Sequence, residues 1–251
     1  MKYSRCSILR HAIVALVAFA PLFTLPAPSL AQDYAAIIAA PDRADGDRQT
    51  DQRRDPVKLL AFTGVKSGMT VLDMGAGGGY STELMARAVG PGGKVYGQDA
   101  ADASARAKER FEARMKTDAM KNVVALARPF DDPLPAEVHD LDLITFFFFY
   151  HDTTYMAVDR AAMNRKLFAA LKPGGFLIVA DHSAKPGSGT SVGKTLHRIE
   201  ESALRAEVEA AGFKLAASAD FLRHPEDPRD ERVFQPKTPV DEFVLKFQKP
   251  N

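Results

Sequence analysis

Residues 70–80 read Thr-Val-Leu-Asp-Met-Gly-Ala-Gly-Gly-Gly-Tyr, a short β-rich run that ends in a glycine loop and opens a helix-like stretch. The helix reading extends over Tyr80–Val89, where Leu84, Met85 and Ala88 recur at helical spacing. Glycines let the chain turn sharply and let a ligand approach closer than a Cβ would permit. The helix that follows offers free N–H groups at its first turn. A carboxylate answers the loop: Asp99 closes the next strand-like run, twenty residues beyond Gly79. That is a position from which an acid accepts hydrogen bonds from both hydroxyls of a ribose.

Outward from this unit the chain alternates between strand-like and helix-like runs. Pro56 suits the first turn of a helix through Phe62, packed by Leu59, Leu60 and Phe62. Strands are expected at Thr70–Met74, Lys94–Gln98, Asn122–Ala127, Leu141–Phe149, Phe176–Ala180, Phe213–Phe221 and Val240–Phe247. Helices are expected at Ala103–Thr117, Asp159–Leu171 and Glu200–Ala211, and Lys172-Pro173-Gly174-Gly175 reads as a stop signal. The strongest apolar run, Leu141–Phe149, is too long and uninterrupted for a half-solvated strand and belongs at the centre of a parallel sheet. Its four phenylalanines read as core, since alternate strand residues face opposite ways. The pattern implies an α/β fold with a doubly wound, seven-stranded, mostly parallel sheet and helices between the first six strands. The last two strands, with no helix between them, should pair antiparallel. Ligands of such sheets bind beyond the carboxyl ends of the strands.

The loop has the form D-x-G-x-G-x-G rather than G-x-G-x-x-G, and its acid, Asp73, would repel a diphosphate but suit an ammonium group. At these residues the chain resembles the class I S-adenosylmethionine-dependent methyltransferases. The stretches that carry the resemblance are VLDMGAGGGY (71–80), KVYGQD (94–99) and LKPGGFLIVAD (171–181), and it spans roughly residues 56–249. Further stretches, at 150–164, 180–190 and 195–201, are similar to a group of exported bacterial predicted methyltransferases. The resemblance implies S-adenosyl-L-methionine as cofactor, with Gly75, Gly77 and Gly79 lining it, Asp73 facing its amino-acid end and Asp99 its ribose. An adenine contact often follows the third strand. Arg128 stands near that place, so Asp131 is the nominee.

The chain of 251 residues carries 33 Lys+Arg against 32 Asp+Glu and is 46% hydrophobic, which excludes a disordered protein and gives no cause to expect a polyanion-binding surface. Its one cysteine, Cys6, excludes a disulfide scaffold and a thiolate metal site. Lys2, Arg5 and Arg10 precede an apolar run over Ala12–Leu25, and Ser29 and Ala31 supply small residues at a cleavage site. Residues 1–31 therefore read as a signal peptide cut after Ala31, giving a periplasmic or secreted protein with no stable membrane insertion. The mature chain would hold no cysteine, in keeping with export. Residues 32–55 read as a short helix at Tyr34–Ala40 and a charged connector over Pro41–Pro56, or alternatively a flap over a site. Residues 56–251 form the catalytic domain on this reading.

Three histidines fall at or beyond strand ends: His151 in Tyr150-His151-Asp152, His182 in Asp181-His182-Ser183, and His197. Strands four and five are neighbours in this fold, so His151 and His182 could meet over the methyl group, with Asp152 as a partner carboxylate and a histidine as base. His-Asp pairs can equally cap loops. His151, Asp152, Asp181, His182 and His197 are all possible metal ligands in type, but no helix-borne pair is present and no metal site is assigned. The function expected is methyl transfer to a small-molecule or envelope acceptor. The alternative is a non-catalytic exported small-ligand-binding protein on the same fold, because S-adenosylmethionine is made in the cytoplasm. No basic stripe or nucleic-acid motif points to a nucleic-acid partner.

Overall fold

The computed structural model describes Met1 and residues 32–251, so the expected signal peptide and its cut after Ala31 lie outside the described residues. Among the described residues no helix is long and apolar enough to cross a membrane.

The strands are β1 (Thr70–Met74), β2 (Lys94–Asp99), β3 (Val123–Ala127), β4 (Leu141–Phe147), β5 (Leu171–His182), β6 (Lys214–Ala219) and β7 (Glu242–Gln248). They form one seven-stranded sheet in the order β3-β2-β1-β4-β5-β7-β6. Every pair from β3 to β5 is parallel, while β5–β7 and β6–β7 are antiparallel. The doubly wound sheet with antiparallel last strands is thus the architecture expected. Strand order turns outward on both sides of the β1–β4 pair, and a crevice at their carboxyl ends follows from that topology.

The helices are α1 (Tyr34–Ala39), α2 (Asp45–Arg54), α3 (Pro56–Thr63), α4 (Tyr80–Val89), α5 (Ala105–Arg114), α6 (Arg160–Ala170), α7 (Gly193–Leu196) and α8 (Glu201–Ala210). Pro56 sits in the first turn of α3, where its missing N–H costs nothing, and Gly64 ends that helix at φ 73°. Both faces of the sheet are covered. Leu72, Ile144 and Phe146 enter one core cluster, and Val71, Leu143 and Phe147 the other. Alternation therefore splits Phe146 and Phe147 between the two cores. Beyond β4, Phe148 and Phe149 stay packed against these cores while also lining a cleft.

Two expectations are corrected. No helix connects β3 to β4, because the crossing segment holds Pro129, Pro133 and Pro135, each lacking an N–H for a helical ladder. α6 does end at Ala170, at the stop read from Lys172–Gly175, but the strand starts earlier than the expected Phe176. β5 begins at Leu171, which pairs with Leu141, and the chain bulges before Phe176 pairs with Leu143.

The charged segment before Pro56 is also more than a connector. Residues 45–54 form α2, whose anchors are ion pairs rather than an apolar face. Arg43 clamps Asp51 with bonds of 2.7 and 2.8 Å. Arg114 of α5 grips Asp47 at 2.7 and 2.9 Å and also binds Glu83 of α4. Asp47 and Glu83 are buried at 8% and 4% exposure; Asp47 depends on that one guanidinium, while Glu83 is also bound by Arg87 at 2.8 Å. Arg114→Ala leaves the buried Asp47 carboxylate uncompensated and Glu83 with Arg87 alone, a loss on the order of 3 kcal/mol. Limited proteolysis between residues 41 and 55 is expected to speed up by at least about tenfold, with the sheet intact by circular dichroism. An unchanged cleavage rate would show that α2 is held by something else.

Candidate active site

The glycine loop hangs from β1 on a buried carboxylate. Asp73 is fully buried, and its Oδ2 accepts from the hydroxyls of Ser81 (2.8 Å) and Thr82 (2.7 Å) while Oδ1 accepts from Thr145 (2.7 Å). Burial raises its pKa, and the three hydroxyls oppose that shift. The side chain thus ties β1 to β4 and to the first turn of α4. Three of its roughly four acceptor sites are taken by those hydroxyls, which gives it a positioning role beside the expected contact with a ligand's amino-acid end.

Gly75, Gly77 and Gly79 all have positive φ, at 65°, 53° and 82°. At Gly75 a Cβ would also stand 3.0 Å from the Phe149 side chain. Over Gly77 the space is open, the nearest atom to a built Cβ being 3.9 Å away, so a ligand can lie against the backbone there. Asp99 stands across the loop, with Oδ2 accepting from the Gly77 N–H (3.1 Å) and Oδ1 from the Ala100 N–H (2.8 Å). Each oxygen has further acceptor capacity, which is what two ribose hydroxyls need. Beside it opens a slot of about 200 Å³ lined by Ala76, Gly97, Ala100, Ala103, Ala125 and Ala127. Small side chains there leave room for a flat ring. The donor set and the slot together fit the adenosine half of the expected cofactor.

Asp131 does not reach this slot. Its carboxylate accepts from the Asp159 N–H at 3.3 Å, near the start of α6, and Arg128 is tied to Asp132. The nominated adenine contact is therefore replaced by the alanine-lined walls. The signal for them was present in the alternating Ala125 and Ala127 and in Ala100 and Ala103.

On the other side of the loop lies a cleft of about 870 Å³, lined by the loop itself, by α2 and by Phe147, Phe148 and Phe149. The flap reading of the N-terminal segment fits this placement. Its acidic walls are paired: Asp42 with Arg87, and Asp47 and Glu83 with Arg114. Arg54 is different. Its guanidinium stacks 4.3 Å from the Phe148 ring and 5.4 Å from that of Tyr80, and its buried Nε has no partner among the described residues. Burial, followed by the neighbouring Arg53, lowers its pKa to about 10, which still leaves it charged at neutral pH. Phe148 is held at φ 57°, a conformation bulky residues rarely adopt.

His151 and His182 do meet, with ring centroids 5.5 Å apart. They meet behind Phe148, whose ring stacks on His182 at 5.3 Å, and neither lines the cleft. His151 is buried with Nδ1 2.7 Å from Asp181 Oδ1 and Nε2 3.2 Å from Asp152 Oδ1. Burial works against a charged ring, but the Asp181 and Asp152 carboxylates outweigh it and raise its pKa to about 10. Burial drives His182 the other way, to about 3, and lifts its neighbour Glu242 to about 7. The catalytic assignment of His151, His182 and Asp152 thus meets an arrangement that shields all three from the glycine loop. The cause is the turn at Phe148, which puts an aromatic ring between the strand end and the cleft.

Residues 65–222 match the profile of a family described as a methyltransferase domain. The chain belongs to the methyltransferase-domain family. Its fold is that of the class I methyltransferases, as expected, and the glycine loop with Asp99 fits the expected S-adenosylmethionine. Among curated relatives, the demethylmenaquinone methyltransferase of Lactococcus lactis is 30% identical over 126 residues, covering 50% of this chain and 47% of the relative. A ubiquinone/menaquinone biosynthesis C-methyltransferase of Pseudomonas paraeruginosa is 31% identical over 129 residues, 51% of this chain and 47% of its own. The chain therefore spans about half the length of these relatives. A solved S-adenosylmethionine-dependent methyltransferase from Aquifex aeolicus shares the fold, with a TM-score of 0.60, 20% identity, and coverage of 86% of this chain and 98% of that one.

Asp73→Ala strands the hydroxyls of Thr82 and Thr145 in the interior and should destabilise the methyltransferase domain by about 3 kcal/mol, or roughly 10 °C in Tm. Urea denaturation checks this. Unchanged stability combined with lost cofactor affinity would leave Asp73 the ligand-facing role alone.

Proposed function

We propose that this methyltransferase acts on a planar aromatic acceptor bearing an ionised oxygen, which Arg54 receives. The observation that carries the reading is the unpaired Arg54 guanidinium on the Phe148 ring, at the wall of a cleft that also exposes the glycine loop. A cation lowered toward neutrality by burial gains most from an anionic partner. The phenylalanine walls offer stacking surface to a ring.

The cofactor, when bound, supplies an electrophilic methyl group on a sulfonium. Asp99 would hold its ribose hydroxyls, and the positive-φ glycines would allow close approach of the backbone. Arg54 favours the ionised form of the acceptor and fixes its orientation, which shortens the entropic part of the barrier. Among the described residues no free carboxylate or imidazole lines the cleft, since Asp42, Asp47 and Glu83 are ion-paired. An acceptor that arrives as an anion needs no protein base, so the shielded histidines are no obstacle to this chemistry. The name of the Lactococcus relative gives its acceptor as demethylmenaquinone, which supports an aromatic class here. The basic, apolar and small-residue pattern of residues 1–31 supports action outside the cytoplasm, on a small molecule or an envelope component.

Transfer of labelled methyl from S-adenosylmethionine to a panel of phenols and aromatic carboxylic acids tests the reading. Arg54→Ala should lower kcat/KM by about 10- to 100-fold, the worth of a charged hydrogen bond, with cofactor affinity retained. Equal turnover in the variant would overturn the role of Arg54. Cofactor binding without transfer to any acceptor would favour a non-catalytic ligand-binding protein.

A further inference from the structure

We propose that His151, Asp152 and His197 form a binding site for a zinc-type transition-metal dication, with Asp181 positioning His151. The site is distinct from the glycine-loop cleft. His151 and Asp152 come from the turn Tyr150–Thr154 that follows β4, and His197 caps α7. One ligand atom from each of the three residues lies within 4.8 Å of the others. His151 Nε2 and His197 Nδ1 stand 3.2 and 3.1 Å from a single oxygen, Asp152 Oδ1. Those separations are what donor atoms about 2.1 Å from a common ion require, whether tetrahedral or octahedral. Two imidazoles and a carboxylate suit zinc and its first-row neighbours rather than calcium or magnesium.

The surroundings of the three residues are those of ligands. Asp181 Oδ1 lies 2.7 Å from His151 Nδ1, and its Oδ2 accepts from the His151 N–H at 2.8 Å. A carboxylate on Nδ1 fixes the tautomer that frees Nε2 for a metal, the usual outer partner of a metal-bound histidine. His197 is presented from φ 55°, a costly backbone state for a side chain other than glycine. Asp152 and His197 each keep 16% of their side-chain exposure, so an ion can enter from solvent and retain a position for water. Three groups converge on Asp152 Oδ1, since the Tyr155 hydroxyl donates to it as well. The opposing charge is Arg232, an exposed side chain whose Nη2 is 3.4 Å from His197 Nε2, and it must swing away when an ion is bound. Phe148 and His182 stand between this cluster and Arg54, so the ion would not touch a ligand in the cleft.

The test uses the full chain without a histidine tag, stripped of metal by chelator and titrated with Zn²⁺ against a chromophoric competitor. Co²⁺ serves as a second probe through its visible ligand-field absorption. About one ion per chain should bind, with micromolar or tighter affinity. His197→Ala should weaken it by at least about 100-fold and Asp181→Asn by about tenfold, while Arg232→Ala should tighten it. Circular dichroism confirms that each variant folds. Absence of stoichiometric binding would overturn the proposal and leave a proton on His151 as the charge that the two carboxylates hold. Binding that His197→Ala and Arg232→Ala leave unchanged would overturn it equally.

Discussion

A single buried carboxylate organises the functional end of the molecule. Asp73 sits on β1, beside the central strand β4, has no basic partner in contact, and is satisfied by three hydroxyls. Those hydroxyls come from β4 and from the first turn of α4, so the acid fixes the angle at which the chain leaves β1. The glycines that follow can then take their positive φ values without pulling the helix out of place. Everything that reads as cofactor chemistry, from the open backbone at Gly77 to the Asp99 carboxylate, depends on that geometry.

A second layer is built from ion pairs. The N-terminal helix α2 buries little apolar surface and is instead held by the arginines at 43 and 114. Among the described residues Arg53, Arg54 and Arg110 line the cleft without a carboxylate partner, and Arg54 is the one whose guanidinium lies on the Phe148 ring. The charge balance of the cleft therefore follows from which arginines are spent on structure. A similar logic governs the far side of Phe148, where two carboxylates and two imidazoles share a small space and call for a positive charge.

Where burial was one-sided and periodic, the sequence was easy to read. β1 and α4 fall at Thr70–Met74 and Tyr80–Val89, as the spacing of their apolar residues indicates, and the sheet topology follows from strand–helix alternation. The glycine loop and Asp99 were legible because turn chemistry is local. The misses have local causes too. Proline content removed a helix between β3 and β4, and a bulge carried β5 through a proline-glycine stretch that elsewhere stops a strand. α2 escaped because its stability lies in long-range ion pairs that have no period. The histidines were correctly brought together, yet their separation from the cleft depends on one residue, Phe148, taking an unusual backbone angle that no spacing rule foretells. Asp131 was misplaced for want of any signal about where the loop after β3 turns.

The most direct measurement is calorimetric titration of S-adenosylmethionine and S-adenosylhomocysteine into the purified protein, beside Asp99→Ala. Micromolar binding of both ligands, weakened by at least about 100-fold in the variant through loss of a carboxylate acceptor, is the predicted result. No binding to correctly folded protein, or binding indifferent to Asp99, would contradict the account of the glycine loop as a working cofactor site.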